Sequence, residues 1–248
     1  MIEAFRVGVV SRGRTLWEGI TLAVGDGEIW VGTGPSSCGK TTLMQILRGE
    51  REPDFGDVVV AGESLYRGSP GHNLRFRASS GVVPESFPGS AGKTVEEMFV
   101  LSALAAGGVG VAERKGRMEE LLSMVGLSGA QAEAVSSLSA SERARAALAV
   151  ELFRGPRYLF LDMLLANAGK EWEERLGALL RALGREERTI VMMERHLPEK
   201  WVGMTISAPL NAEPFTFHRL GGGTSAERKA EGDPMPPGGR LPMEGGAD

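Results

Sequence analysis

Gly34-Pro35-Ser36-Ser37-Cys38-Gly39-Lys40-Thr41 is the stretch that decides the fold. It fits the pattern G-x-x-x-x-G-K-[ST], and its surroundings match what that pattern requires. An apolar strand, Ile29–Gly32, precedes it, and a helix is predicted from about Lys40 to Leu47. Gly34 and Gly39 let the backbone turn tightly, so that successive N–H groups point inward and cradle phosphate oxygens. The positive end of the helix dipole adds to that field. Lys40 is placed to reach the β- and γ-phosphates, and the Thr41 hydroxyl is placed to bind Mg²⁺. Cys38 lies inside the loop, where its backbone matters more than its thiol.

Upstream, Ile2–Val7 and Ile20–Val24 read as strands, with Gly25-Asp26-Gly27 as the turn into the loop strand. Downstream, Val58–Val60 and Gly81–Val83 read as further strands. From Thr94 to Arg154 the apolar spacing becomes helical, as in Met118, Leu121, Leu122 and Val125, which suggests a helical insertion. The pattern then returns to strand, helix and strand: Tyr158–Leu161, Glu171–Leu183 and Thr189–Met193. Alternation of this kind implies a largely parallel sheet. Beyond Gly221 only Gly, Pro and charged residues predominate, and residues 221–248 read as a disordered tail for which docking is the alternative.

Composition narrows the classes. A chain of 248 residues with 42% hydrophobic and 24% charged residues can bury a sizeable core. A formal charge of −4 argues against a nucleic-acid partner held by bulk charge. The single cysteine excludes an internal disulfide and fits a reducing cytosol. The longest apolar run, Val100–Ala112, is interrupted by Gly107, Gly108 and Gly110 and is too short to span a bilayer. A role at a membrane therefore requires a partner. His72 and His218 fall in predicted loop and edge contexts without metal-ligand spacing.

Two more segments set the family. Leu138-Ser139-Ala140-Ser141-Glu142 opens an Ala-rich helix, and Ser139-x-x-Glu142 alone is a helix capping box. Tyr158-Leu159-Phe160-Leu161-Asp162 is an apolar strand ending in an acid, a setting suited to a Mg²⁺-associated carboxylate. The order of these motifs resembles the ATP-binding subunits of ABC transporters from Ile2 to about Leu220. Gly27-Glu28, the segment Glu52–Val58 and the Gly81–Val83 approach add to the likeness. Within the family it is most similar to the cell-division and lipoprotein-release type.

That resemblance implies an α/β P-loop NTPase fold. It would have a largely parallel central sheet, an antiparallel β region at the N-terminus and a helical subdomain at about 92–155, all within residues 1–220. It implies ATP and Mg²⁺ as cofactors. The nucleotide set is Gly34, Ser36, Ser37, Cys38, Gly39, Lys40, Thr41, Thr42 and Ser139, and the metal set is Thr41, Asp162 and Glu85. The implied partners are a membrane permease and a second cassette, stacked head to tail so that Ser139 of one caps the phosphate held by the other. The implied location is the cytoplasmic face of the cell membrane, reached through the permease.

The chain departs from the family at several positions. Met163 stands where a glutamate follows the strand-end Asp162, and methionine accepts no proton. Glu85 takes the place of the Q-loop glutamine, and Gly169 that of the D-loop aspartate. Arg195 falls at the switch histidine, with His196 one residue late. Ala140 and Ser141 replace signature glycines, and Val10 or Ser11 stands where an aromatic stacks on adenine. Such losses beside an intact P-loop lead to the expectation that ATP binds but is hydrolysed slowly, unless Glu85, Glu194 or His196 acts on the water. A non-hydrolysing regulatory or structural cassette is the alternative. An unrelated GTPase or kinase is disfavoured by the absence of N-K-x-D and by the L-S-x-x-E segment.

Overall fold

The computed structural model describes residues 1–85, 92–105, 111–166 and 169–221. The tail expected from Gly221 onward lies, after its first residue, outside the described residues.

The chain begins as an antiparallel sheet. β1 (Ile2–Ser11) pairs with β2 (Arg14–Val24) and with β4 (Phe55–Val60), which pairs in turn with β5 (Glu63–Ser64), giving the order β2-β1-β4-β5. Alternating apolar residues on the inner face, among them Ile2, Ala4, Val58 and Val60, are buried against the P-loop helix. A two-residue side-chain period leaves the other face to solvent.

The second sheet has six strands in the order β6-β7-β8-β3-β10-β9. β6 (Ser80–Val83), β7 (Tyr158–Asp162), β8 (Thr189–Glu194) and β3 (Ile29–Thr33) run parallel, each register fixed residue by residue. β7 and β8 are buried at every position, which explains their unbroken apolar runs. β10 (Phe215–Leu220) and β9 (Leu210–Ala212) complete the sheet antiparallel beside β3. The charged end of β3 is fixed by Glu28, which accepts from Trp30 Nε1 at 2.8 Å and from Arg219 Nη1 at 2.8 Å.

α1 (Lys40–Leu47) and α2 (Pro70–Ala78) pack on the side facing the antiparallel sheet. On the other side lie α3 (Val95–Ala105), α4 (Val111–Met124), α5 (Ala140–Arg154) and α6 (Lys170–Arg185), followed by the short α7 (Glu199–Val202). α3 and α4 both pack on α5, whose row Ala146, Ala147 and Ala149 permits close approach. The stripe Leu176, Leu179, Leu180 and Leu183 seats α6 on the sheet.

Two local expectations are corrected. His72 lies in α2, started by Pro70 at the first helical position, and not in a loop. His218 lies on β10, which is flanked by β3 and β9, and not at a sheet edge. Of the tryptophans, Trp17, Trp172 and Trp201 are buried packing residues.

Candidate functional site

The loop between β3 and α1 lies at the C-terminal edge of the parallel strands, where open α/β sheets form their crevices. Gly39 adopts φ +96 as it enters α1, and a Cβ there would meet Trp17 Nε1 at 2.6 Å. Ser37 also takes a left-handed φ of 61°. Left-handed residues alternating with ordinary ones turn backbone N–H groups into a concave anion nest. Lys40, only 7% exposed, folds back over the loop, and its ammonium donates to Gly34 O at 2.8 Å and Pro35 O at 2.7 Å.

Asp162 ends β7 directly beneath α1. Its Oδ2 accepts from Thr41 Oγ1 at 2.6 Å, while Oδ1 is buried with no partner among the described residues. Burial raises its proton affinity against the pull of the Thr41 hydroxyl. An orphaned buried carboxylate oxygen beside a hydroxyl is a hard-oxygen donor set, and it fits Mg²⁺. The nest above it fits phosphate, so both implied groups suit the residues present.

A cleft of about 450 Å³ opens over this floor. Ser36, Ser37, Gly39, Lys40, Thr41, Thr42, Glu85, Met163 and Arg195 line it, together with Ser11 and Leu16. Three residues of the nucleotide set, Gly34, Cys38 and Ser139, do not line it, and neither does Asp162 of the metal set. The Cys38 thiol is packed in the core, 4.0 Å from Lys40 Nζ. Ser139 is engaged locally, since its hydroxyl accepts from Glu142 N at 3.2 Å and its own N–H donates to Glu142 Oε2 at 2.8 Å. Of the two residues at the switch position, Arg195 reaches the cleft and His196 does not.

Met163 sits at the cleft in a left-handed conformation with φ 53°, 6% exposed, its N–H donating to Met193 O at 2.8 Å. The turn after it is held by Glu194, whose Oε1 accepts from Leu165 N at 2.8 Å. Glu194 is 3% exposed. Burial, with Asp162 nearby, pushes its carboxyl up to about 8. No sequence pattern signals that bond, because Leu165 donates through its backbone. Leu16 was also missed as a cleft residue. The available signal was its place beside buried Trp17, since strand alternation leaves only one of the pair inside.

A phosphate nest over a hydroxyl–carboxylate pair, at the edge of a parallel sheet, defines the class of P-loop nucleotide-binding proteins. Residues 17–164 match the family described as ABC transporter, and the chain belongs to that family. It is 35% identical over 187 residues to the Fe(3+) ions import ATP-binding protein FbpC of Streptomyces avermitilis, an alignment covering 74% of this chain and 52% of that protein. It is 33% identical over 148 residues to the methionine import ATP-binding protein MetN of Geobacillus kaustophilus, covering 60% and 43% respectively. The chain thus spans about half the length of these curated relatives. Their names are those of importers. Among solved structures, the dimeric bacterial ABC transporter cassette MJ0796 matches with a TM-score of 0.69 at 23% identity, covering 79% of this chain and 88% of that one. That likeness shows the fold. The same cassette is also known as a dimer bound to ADP and Pi.

Proposed function

We propose that the chain is an ATP-binding subunit of an ABC transporter: it takes Mg-ATP into the P-loop cleft, pairs with a second cassette and acts on a membrane permease, with slow hydrolysis. The nucleotide reading is carried by one observation, the Thr41 Oγ1–Asp162 Oδ2 bond of 2.6 Å under a left-handed phosphate nest. Mg²⁺ held by Thr41 and Asp162, with Glu85 facing the same cleft, would neutralise phosphate charge. The backbone from Ser36 to Thr42 would cradle the phosphates. Lys40, now bound to two carbonyls, supplies the mobile cation. Leu16 offers an apolar ledge to the base in place of an aromatic face.

Slow hydrolysis is supported by Met163, a thioether at the cleft wall where a proton acceptor is needed. Losing a general base costs about 10²–10⁴-fold in rate. Glu194 supplies no easy replacement, because its carboxylate is engaged by Leu165 N–H and buried. Pairing is supported by Ser139, which sits at a helix start off its own cleft, a place from which it would meet the cleft of a second cassette. A peripheral position is supported by the absence, among the described residues, of any helix long and apolar enough to cross a membrane. Val100, Leu101 and Leu104 on α3 are exposed and offer an apolar surface to a membrane partner. The cassette itself would occupy residues 1–220, with α3 to α5 as its helical subdomain.

The test is a nucleotide-binding titration run alongside steady-state phosphate release. Saturable Mg-ATP binding lost in Lys40→Ala, with little turnover, is the expected result. Fast turnover in the unaltered chain would overturn the slow-hydrolysis part. Absence of any binding would overturn the whole.

A further inference from the structure

Away from the nucleotide cleft, the outer face of the antiparallel sheet carries an open groove of about 940 Å³. Phe5, Phe55 and Val59 form its apolar floor, and Arg6, Glu18 and Asp57 form part of its rim. Phe5 and Phe55 are 46% and 49% exposed, and among the described residues no other aromatic side chain is as exposed. Two adjoining exposed rings form the kind of apolar patch that marks an interaction site.

The backbone is bent to make this groove. Arg6 adopts φ 47°, a left-handed value in a residue that is not glycine, and Gly19 and Gly56 adopt φ 77° and 79°. These residues lie at or beside the breaks in register of β1 against β2 and of β1 against β4. A Cβ on Gly56 would stand 2.3 Å from Phe5 O, so that close approach requires glycine. Bulges of this kind re-aim side chains and recur at functional sites. Arg67 is fixed by Gly56 O at 3.1 Å, whereas the Arg6 and Glu18 side chains have no ion pair among the described residues. The groove therefore offers two rings, one free cation and one free anion.

We propose that this groove holds the chain's own C-terminal segment, through Asp233-Pro234-Met235-Pro236-Pro237 and Arg240. Aromatic-lined grooves are the surfaces on which proline-rich strands dock, because proline fixes φ and lowers the ordering cost. The charges are complementary in kind: the segment carries Asp233 and Arg240, and the groove carries Arg6 and Glu18. The reach also fits. The described chain ends just after Leu220, which pairs with Ile29, and Ile29 follows β2 through one short turn. From Val24 to Gly19 along β2 is roughly 17 Å at strand rise. Covalent geometry lets the eleven residues 222–232 bridge at most roughly 40 Å, more than that strand length together with the turn Gly25–Glu28. A tether of that length gives an effective concentration on the order of millimolar. A local affinity of only about 0.1 mM would then keep the segment docked by about ten to one.

The experiment uses the full chain with a photo-activated benzophenone amino acid at position 235. Within one chain, cross-links to residues 5–6 or 55–59 are expected, and they should fall at least about fivefold in the double variant Phe5→Ser/Phe55→Ser, in line with the docked ratio above. Native trypsin digestion is the second readout. Cleavage after Arg240 should be about tenfold slower than after Arg228 or Lys229, and the double variant should remove that difference. Both substitutions are at exposed rings, and unchanged thermal melting and Mg-ATP binding confirm an intact fold. Cross-links scattered over the surface, cross-links only between chains, or protection at Arg240 unaffected by the double variant would each overturn the proposal.

Discussion

At the scale of single residues, the proposed function separates binding from proton transfer. Lys40 and Thr41 are the groups proposed to meet phosphate and metal, and Met163 lines the same cleft where the family pattern places a carboxylate. Met163→Glu is expected to raise phosphate release by about 10²-fold or more while leaving the Mg-ATP affinity within a few fold. No gain in a phosphate-release assay would place the defect elsewhere in the cleft. Glu194 makes a separate prediction. Its carboxyl rises from an ordinary 4.5 to about 8 in the fold. Between those values the folded chain holds a proton that the unfolded chain has released, so stability falls as pH rises through that window. Glu194→Gln keeps an acceptor for Leu165 N–H and removes the titration. Its stability is expected to drop less from pH 5 to pH 8, by on the order of a few kcal/mol. Denaturant melts of the nucleotide-free proteins at both pH values test this, and parallel pH slopes would sink it. The P-loop was legible in the sequence because it is a local pattern with one structural meaning, and Asp162 because its strand follows the L-S-x-x-E segment in the family's order. The Glu194–Leu165 bond was not legible, because it joins a side chain to a backbone group through three-dimensional proximity alone.

At the scale of elements, α5 shows how one motif serves two demands. Ser139 and Glu142 exchange bonds as a complete capping box, and Gly155 ends the helix in a left-handed turn at φ 68°. Ser139→Ala should cost about 1 kcal/mol and lower the melting temperature by about 2–4 °C. Ser139→Thr, which keeps the hydroxyl, should restore most of that loss. Calorimetry on the two variants decides the matter, and equal melting of Ser139→Ala and the parent chain would remove the cap from the stability account. β7, β8 and α6 were readable because uniform burial or a single buried stripe leaves a clean period in the sequence. α2 was not readable. It buries only Phe76, and a helix with one buried residue has no period to detect. β9 and β10 were missed because their strand residues alternate with polar ones such as Asn211, Thr216 and His218, whose pairing depends on β3.

At the scale of the whole molecule, the proposed slow turnover implies that bound Mg-ATP should lock an assembly in place. Mg-ATP is expected to convert the chain from one copy to two in light scattering, and the paired form should persist over minutes. ADP should leave it single. Met163→Glu should shorten the lifetime of the pair, which links this prediction to the one at the residue scale. The architecture also bears on how the chain is made. β3 carries the P-loop from the middle of the second sheet, yet both of its neighbours, β8 and β10, come from the last third of the sequence. At ordinary synthesis rates, roughly 10–40 s separate the emergence of β3 from that of β10. During that interval the phosphate loop has no sheet to hang from, and Val31 and Ile29 have no core to enter. The nascent chain is thus unable to bind nucleotide until β10 has emerged, and its interval of greatest exposure to chaperones and proteases is written into the strand order.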